Sequence, residues 1–161
     1  MRVRPATLGD IEGIERVAEA AWHEAHAPIA GVEVVETFLA EYYDSTRLFE
    51  RITSSDWLVF VADDDGVAGF AAAQPSDRGP STYGLANLYV APDRWHEGIG
   101  SRLLDRTERA VADRGGSRLR LAVMADNDRA IAFYEAVGFE RVEADHDHEL
   151  DVERYFYAKD I

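Results

Sequence analysis

The stretch that decides the fold runs from Leu85 to Leu104 and reads Leu-Ala-Asn-Leu-Tyr-Val-Ala-Pro-Asp-Arg-Trp-His-Glu-Gly-Ile-Gly-Ser-Arg-Leu-Leu. Its first part, up to Val90, is short and apolar like a buried strand, and Pro92 ends that strand. After Gly98 and Gly100 the spacing of apolar residues predicts a helix, whose buried stripe consists of Ile99, Leu103, Leu104, Thr107 and Val111. The pattern therefore predicts a strand, a tight glycine loop and a helix.

The glycine loop has the composition of an anion-binding site. The first turn of a helix leaves backbone N–H groups unpaired, and glycine lets a phosphate approach them closely. Two other phosphate loops do not fit, because a P-loop needs lysine after its last glycine and the dinucleotide fingerprint needs glycine at Leu103. On this stretch alone, an ordinary strand-to-helix turn remains an equal alternative.

A second informative stretch follows the strand predicted at Leu119–Val123. Residues 125–139 read Ala-Asp-Asn-Asp-Arg-Ala-Ile-Ala-Phe-Tyr-Glu-Ala-Val-Gly-Phe. Asp126 or Asn127 can cap the start of a helix, and Gly138 has the position of its C′ residue. The buried stripe of that helix is predicted to consist of Ala130, Phe133 and Val137.

Together the two stretches resemble the GNAT superfamily of acetyl-CoA-dependent N-acetyltransferases. The matching residues are Leu88–Pro92, Gly98–Gly100 with Leu103 and Leu104, Asn127, Ala130–Glu135, and Gly138 with Phe139. The resemblance implies an α/β fold in a single domain over residues 1–161, with a central mixed, mostly antiparallel sheet of about seven strands, splayed central strands and about four flanking helices. One departure is Trp95, which lies where the family loop usually has arginine or glutamine, with Arg94 one place earlier.

The resemblance also implies a site for acetyl-CoA as cosubstrate, with its pantetheine arm between the splayed strands. The cofactor-binding residues that it implies are Leu88, Tyr89, Val90, His96, Glu97, Gly98, Ile99, Gly100, Ser101 and Asn127. Arg102, Arg106 and Arg129 are nearby cations for the remaining phosphate. Tyr134 is the implied catalytic acid that protonates the departing thiolate, and a half-buried structural tyrosine is the alternative.

The implied reaction is direct transfer of the acetyl group to an amine, either a small molecule or a peptide N-terminus. A backbone N–H near Tyr89 or Val90 would stabilise the oxyanion. No general base is assigned, because the two positions where relatives carry glutamate are Gly84 and Ala122. This absence keeps a non-catalytic acetyl-CoA-binding module open as an alternative, whereas an enzyme specific for another nucleotide is disfavoured.

Composition bounds the function further. The chain has 161 residues, 47% of them apolar, no cysteine and no long apolar run or leader, so we expect a cytoplasmic protein without a membrane segment, disulfide or cysteine-bound metal. Its net charge of −14, with Lys159 as the only lysine, argues against nucleic-acid binding. A halophilic acidic surface explains the scattered acids better than a groove that steers cationic amines.

The N-terminal third and the last hairpin are predicted to border the acceptor site. A short strand at Met1–Arg4 precedes a helix that Thr7 and Asp10 begin, with Trp22 at its end. The buried face of this helix is predicted to contain Ile11, Ile14, Val17 and Ala21. A second helix is predicted over Val32–Tyr43, and its buried face is predicted to contain Val34, Val35, Phe38, Leu39 and Tyr42. By the family layout His23, His26, Tyr42 and Tyr43 are acceptor contacts, and helix-end polar residues and core aromatics are the alternative.

The remaining segments predict strands. Trp57–Ala62 and Val67–Gln74 form a hairpin around Asp63–Gly66, and Pro75–Ser81 is a flexible loop. Two final strands are predicted near Glu140–Val142 and Arg154–Ala158, separated by an acidic segment with His146 and His148 that we do not expect to bind metal. The exposed edge of this hairpin favours a homodimer.

Overall fold

The computed structural model describes residues 1–42, 44–149 and 151–161, without the side chains of His26, Ile29, Ala30, Phe38, Glu41 and Tyr42. The strands are β1 Arg2–Pro5, β2 Leu58–Asp63, β3 Val67–Pro75, β4 Thr82–Val90, β5 Arg118–Met124, β6 Glu140–Asp147 and β7 Val152–Asp160. The α-helices within these residues are α1 Ile11–Ala30, α2 Val32–Tyr42, α3 Ser45–Thr53, α4 Ile99–Asp113 and α5 Asp128–Ala136. Single 3-10 turns lie at Leu8–Asp10 and Pro92–Arg94.

The seven strands form one sheet in the order β1-β2-β3-β4-β5-β7-β6. The β4–β5 pair is parallel and every other pair is antiparallel, which confirms the predicted mixed, mostly antiparallel sheet. One face packs against α4 through Leu103 and Leu104, and the other packs against α1 through Ile14 and Val17. All five residues of the predicted α4 stripe are buried.

The central strands separate soon after they pair. Thr82–Gly84 of β4 pair with Arg118–Arg120 of β5, and no further β4–β5 register pair follows among the described residues. At the point of separation β4 contains a bulge, because Ala73 is opposite Leu85 and Ala72 is opposite Asn87. A bulge bends its strand and increases the local twist, so β4 diverges from β5. The predicted splay is confirmed, and the bulged residue is Ala86.

Three local predictions need correction. Helix α1 does not end near Ala21 but continues to Gly31, whose φ of +95° ends it, so Trp22 and His23 lie inside the helix. Helix α3 was not predicted, because Leu48 is its one buried residue and a single apolar position makes no stripe. Strand β6 extends to Asp147, because pairing with β7 orders the acidic segment that apolar periodicity could not identify.

Candidate active site

A cavity of about 860 Å³ opens where β4 and β5 separate. Its walls come from α1, α3, β4, the loop before α4, β5, α5 and the β6–β7 hairpin. The predicted site residues that line it are Leu88, Tyr89, Val90, His96, Gly98, Ile99, Gly100, Ser101, Asn127 and Tyr134. Glu97 does not line it, and instead forms an ion pair of 3.0 Å with Arg94 on the surface.

The backbone of β4 presents alternate residues to the cavity. The N–H of Ala91 donates to the carbonyl of Ala68 on β3, so the alternation of an antiparallel ladder directs the polar groups of Tyr89 toward β3 as well. The N–H and C=O groups of Leu88 and Val90 then face the gap toward β5. Of the two N–H groups considered for the oxyanion, that of Val90 has the suitable direction.

The loop before α4 has the conformation of an anion cradle. His96 and Gly98 both adopt positive φ, +68° and +79°, which turns the chain sharply into the helix. The first bond of α4 runs from the N–H of Arg102 to the carbonyl of Gly98. The N–H groups of Ile99, Gly100 and Ser101 are therefore first-turn donors without an intrahelical acceptor. This geometry fits a diphosphate at the helix N-terminus.

Cationic and aromatic side chains frame this loop. The guanidinium of Arg129 lies 3.3 Å from the ring centroid of Trp95, and both side chains line the cavity. Arg94 also lines it and pairs with Asp64 at 2.6 Å.

The two other predicted cations lie elsewhere. Arg102 donates to the carbonyl of Met1 at 3.5 Å, and Arg106 lies over the ring of Phe60 at 4.4 Å. Neither residue lines the cavity. Of the three predicted cations, Arg129 alone is in a position to meet a phosphate there.

Tyr134 projects from α5 into the cavity between two aromatic rings. Its ring packs edge-on against Phe133 at 5.4 Å and against Phe139 at 5.5 Å. Burial raises the pKa of the Tyr134 hydroxyl above its ordinary value, so the group stays protonated at neutral pH. The helix that carries it begins at Asn127, whose Oδ1 accepts a hydrogen bond of 3.3 Å from the N–H of Ala130. Tyr134 thus presents a protonated hydroxyl at the cavity wall.

The acceptor side differs from the sequence prediction. His23 does not line the cavity, and His26, Tyr42 and Tyr43 lie outside the residues or side chains that the structure describes. The polar and aromatic residues that line this side are Trp22, Arg51, Asn87, Asp147 and Arg154. Spacing along the chain gave no signal for them, because five separate elements, α1, α3, β4, β6 and β7, bring them together.

Hydrogen bonds fix the charged groups of this side. Arg51 donates from Nη1 to Oδ1 of buried Asn87 at 2.7 Å, and its guanidinium lies 4.5 Å from the ring centroid of Trp57. Arg154 binds both carboxylate oxygens of Asp145, at 2.8 and 2.9 Å, and Oδ2 of Asp147 at 3.2 Å. These hydrogen bonds lower the pKa of the Asp145 carboxyl and raise that of the Arg154 guanidinium, so both of these groups are charged at neutral pH.

Two further observations concern membranes and metals. Across residues 1–42, 44–149 and 151–161, every helix is too short or too polar to span a bilayer. In the same residues no group of three or more histidine and acidic side chains has an arrangement that could hold a metal ion. His146 instead bonds Glu153 and Asp151, both at 2.9 Å, at the exposed end of the hairpin.

Comparisons with known proteins by family model, by sequence and by structure all match acetyltransferases. The model of the acetyltransferase (GNAT) family matches residues 15–139. A spermidine N(1)-acetyltransferase from Thermoplasma acidophilum is 26% identical over 150 residues, 90% of this chain and 91% of that protein. A thialysine N-epsilon-acetyltransferase from Bos taurus is 41% identical over 54 residues, 34% of this chain and 32% of that protein. The crystal structure of PaiA N-acetyltransferase from Thermoplasma acidophilum with coenzyme A superposes with a TM-score of 0.88 at 26% identity, covering 99% of this chain and 98% of that one.

Proposed function

We propose that this chain, which belongs to the acetyltransferase (GNAT) family, transfers the acetyl group of acetyl-CoA to a primary amine of a small molecule. The observation that carries the proposal is the cavity between β4 and β5, with an anion cradle at one end and a half-buried tyrosine in its wall. A spermidine acetyltransferase that aligns over nine-tenths of the chain supports a small amine rather than a peptide N-terminus. The alternative of a non-catalytic acetyl-CoA-binding module is not proposed, because the chain belongs to a family of acetyltransferases.

The proposed cofactor contacts follow the cavity from the loop to the gap. The first-turn N–H groups of α4 and the guanidinium of Arg129 bind phosphate, and the backbone of Leu88 hydrogen-bonds the pantetheine amides beside Val90. Gly100 supports this path because a side chain there would extend toward Phe133 and Val90 and narrow the cavity. Acetyl-CoA supplies an activated acyl carbon as a thioester.

In the proposed reaction the neutral amine forms a C–N bond to that carbon, and the C–S bond breaks. The N–H of Val90 stabilises the negative charge that develops on the carbonyl oxygen. Tyr134 gives its proton to the departing sulfur, the attacking nitrogen loses a proton to water, and Tyr134 then regains a proton from water. No described cavity residue is assigned as general base, since Gly84 and Ala122 carry no carboxylate. Amine deprotonation therefore depends on solvent.

Release of coenzyme A thiol tests the proposal. The chain has no cysteine, so a thiol reagent gives no background from the protein. We expect release with small primary amines at saturating acetyl-CoA and much less with peptides that offer only an N-terminal amine. Binding of acetyl-CoA without release for any amine would contradict the proposed transfer, and preference for peptides would contradict the acceptor class.

Three further expectations concern the localisation, the surface charge and the oligomeric state of the protein. Acetyl-CoA is an intracellular metabolite, which supports cytoplasmic localisation. The acidic residues scattered along the chain support a halophilic surface that binds neither nucleic acid nor membrane. The strand β6 lies at the edge of the sheet, which supports a homodimer by edge pairing. Sedimentation at two protein concentrations would test the dimer.

A further inference from the structure

One histidine connects the two strands at the end of the β6–β7 hairpin. His146 is opposite Glu153 in the register, and its Nδ1 lies 2.9 Å from Oε1 of Glu153. Its Nε2 lies 2.9 Å from Oδ1 of Asp151, the residue that precedes β7. These three side chains, which we call the His146 bridge, attach β6 to the chain on both sides of Val152.

The geometry of the His146 bridge requires a protonated imidazole. An ionised carboxylate only accepts hydrogen bonds, so both ring nitrogens must donate if both contacts are to be hydrogen bonds. A neutral imidazole has one N–H group, and its other nitrogen presents a lone pair. Loss of the proton from His146 therefore removes one of the two bonds and leaves a lone pair opposite a carboxylate oxygen.

The charged groups around His146 favour its protonated form. The hydrogen bonds to Glu153 and Asp151 raise the pKa of its imidazole above the ordinary value of about 6.5. The other ionisable side chains at this end of the hairpin are Asp145, Asp147, His148, Glu149, Arg154 and, acting on Asp145 from the loop before β4, Arg78. Together with Asp151 and Glu153 these groups include more acids than cations, which adds to the preference for the imidazolium.

The His146 bridge lies behind the wall of the cavity. Successive side chains of a strand point to opposite faces, so the face of the hairpin that carries His146 and Glu153 is opposite to that of Asp147 and Val152. Asp147 and Val152 are the last register pair of the hairpin, and both line the cavity. Val152 also packs in the apolar cluster that contains Trp22. The bridge therefore holds the acceptor wall from outside the cavity.

This end of β6 depends on β7 for its position. β7 is anchored to the end of β5, because the carbonyl of Glu153 accepts a hydrogen bond of 2.9 Å from the N–H of Ala125. β6 is at the edge of the sheet and has β7 as its neighbour in the strand order. Because strand ends at a sheet edge open locally at low cost, the contacts to β7 decide whether Asp147 stays in the wall.

We propose that His146 is a positioning residue of the acceptor site, whose imidazolium keeps the last pair of the hairpin closed, so that acceptor binding weakens when the proton is lost. The proposal rests on the proposed acetyl transfer and adds to it a pH-dependent control of acceptor affinity. The bridge consists of hairpin residues, whereas the cofactor would be held by the loop before α4 and by α5. Affinity for coenzyme A should therefore not depend on His146.

His146→Gln tests the proposal, because glutamine is uncharged at every pH and offers a single donor atom. The acceptor is benzylamine at saturating acetyl-CoA, followed by thiol release. At about pH 6 we expect its KM to be about threefold higher in the variant, since exposed ion pairs contribute little. A group with a raised pKa contributes fully below its ordinary value and loses this contribution as pH rises through the raised value, so the ratio of the two KM values should then approach one.

Three comparisons separate this role from a simple effect of charge. Removal of a positive charge alone would favour a cationic amine, so a lower KM in His146→Gln would overturn the proposal. His148→Gln changes the adjacent imidazole of the same hairpin and should keep the wild-type pH dependence. Glu153→Gln should shift the transition to lower pH, because it removes one of the carboxylates that favour the imidazolium.

Hydrogen exchange decides the proposal without turnover. The backbone amides of residues 145–147 and 152–154 should exchange faster in His146→Gln than in the wild-type protein at about pH 6, and equally fast above the transition. Equal exchange at every pH, or a ring resonance of wild-type His146 that titrates below about pH 6.5, would overturn the role of the bridge. Absence of thiol release with every amine would contradict acetyl transfer instead.

Discussion

The indole Nε1 of Trp95 donates a hydrogen bond of 2.9 Å to the carbonyl oxygen of Val90. The bond connects the end of β4 to the loop that precedes α4, and the same indole supports the guanidinium of Arg129. One side chain therefore couples the strand that would hold the pantetheine arm to the loop that would hold the phosphates.

Replacing Trp95 by phenylalanine removes this hydrogen bond and keeps an aromatic ring beside Arg129. One hydrogen bond contributes about 1 kcal/mol, so we expect coenzyme A to bind about fivefold more weakly in calorimetry. Trp57→Phe, which changes an indole outside this cavity, is the control and should leave the affinity unchanged. Unaltered affinity in Trp95→Phe would show that the loop holds its shape without the bond.

Substitutions at two glycines of the loop should have opposite effects on stability. Gly100 is helical and an added Cβ would lie 3.5 Å from Phe133, so Gly100→Ala should raise stability by about 0.5 kcal/mol while it weakens coenzyme A binding at least tenfold. Gly98 has a φ of +79° with open space around it, so Gly98→Ala should cost about 1 kcal/mol from backbone strain. Denaturant unfolding measures the stability of both variants, and calorimetry measures their affinity for coenzyme A. Loss of stability in Gly100→Ala would contradict the packing.

Tyr134→Phe should lower kcat by about a hundredfold or more, because the departing thiolate loses its proton donor. The affinity for acetyl-CoA should stay within a factor of about three, since one hydroxyl is removed from a large contact surface. Phe133→Leu, a change in the adjacent ring that retains the hydroxyl, is the control. A kcat close to wild type would exclude Tyr134 as the acid.

The pH profile gives a separate test of Tyr134. An acid must be protonated, so activity falls as pH rises through its pKa, and burial raises that pKa above the ordinary value of about 10. We therefore expect kcat to show no falling limb up to about pH 10. A decline well below this pH, present in the wild type and absent in Tyr134→Phe, would contradict the raised pKa.

The pair of Asp10 and Arg4 should govern stability in acid. Asp10 is 7% exposed and accepts from Arg4 at 2.8 and 2.9 Å and from the N–H of Thr7 at 2.8 Å. The bonds from Arg4 hold the pKa of the Asp10 carboxyl below its usual range. Such a group stabilises the folded state above its unfolded pKa of about 4 and loses this contribution as pH falls through the lower folded value.

Asp10→Asn should accordingly cost about 3 kcal/mol near neutral pH, because Arg4 loses its buried partner. Below about pH 4 the difference between the variant and the wild type should begin to shrink, and it should vanish only once the pH has fallen through the lowered pKa of the folded wild-type carboxyl. Thermal unfolding across pH measures both effects, with the exposed Asp113→Asn as control. A constant difference between the two proteins down to the lowest pH would contradict the shifted pKa.

Salt should stabilise the protein near neutral pH. A net charge of −14 causes self-repulsion in the folded state, and the screening length falls from about 10 Å at 0.1 M to about 3 Å at 1 M. We expect Tm to rise by several degrees over this range of potassium chloride. At a pH near the isoelectric point of about 4.6 the rise should nearly vanish, and an equal rise there would indicate another cause.

Much of the part of the site proposed to bind the cofactor could be predicted, because it depends on sequence patterns within short stretches of the chain. Leu103, Leu104 and Val111 define one helix face, Gly98 and Gly100 fit the turn before it, and Asn127 caps the next helix. Each of these features depends on residues within a few positions along the chain. For this reason the strand, loop and helix order could be predicted without the tertiary structure.

Other features depend on pairing between distant segments. The end of β6 and the bulge at Ala86 exist because strands far apart in sequence pair in one register. Asp145, Asp147 and Arg154 form a charged group only when the hairpin closes, and Arg51 reaches Asn87 from a helix 36 residues away. Glu97, which a motif placed at the phosphates, pairs with Arg94 instead because the loop turns it outward.

The sequence by itself determined the class of fold and the position of the glycine loop before α4, since local periodicity and backbone preference act over short distances. The tertiary structure decided the direction of the β4 backbone groups, the partner of each arginine and the wall that faces the acceptor. These depend on long-range register and on charge pairing across the sheet, which no short stretch of sequence encodes.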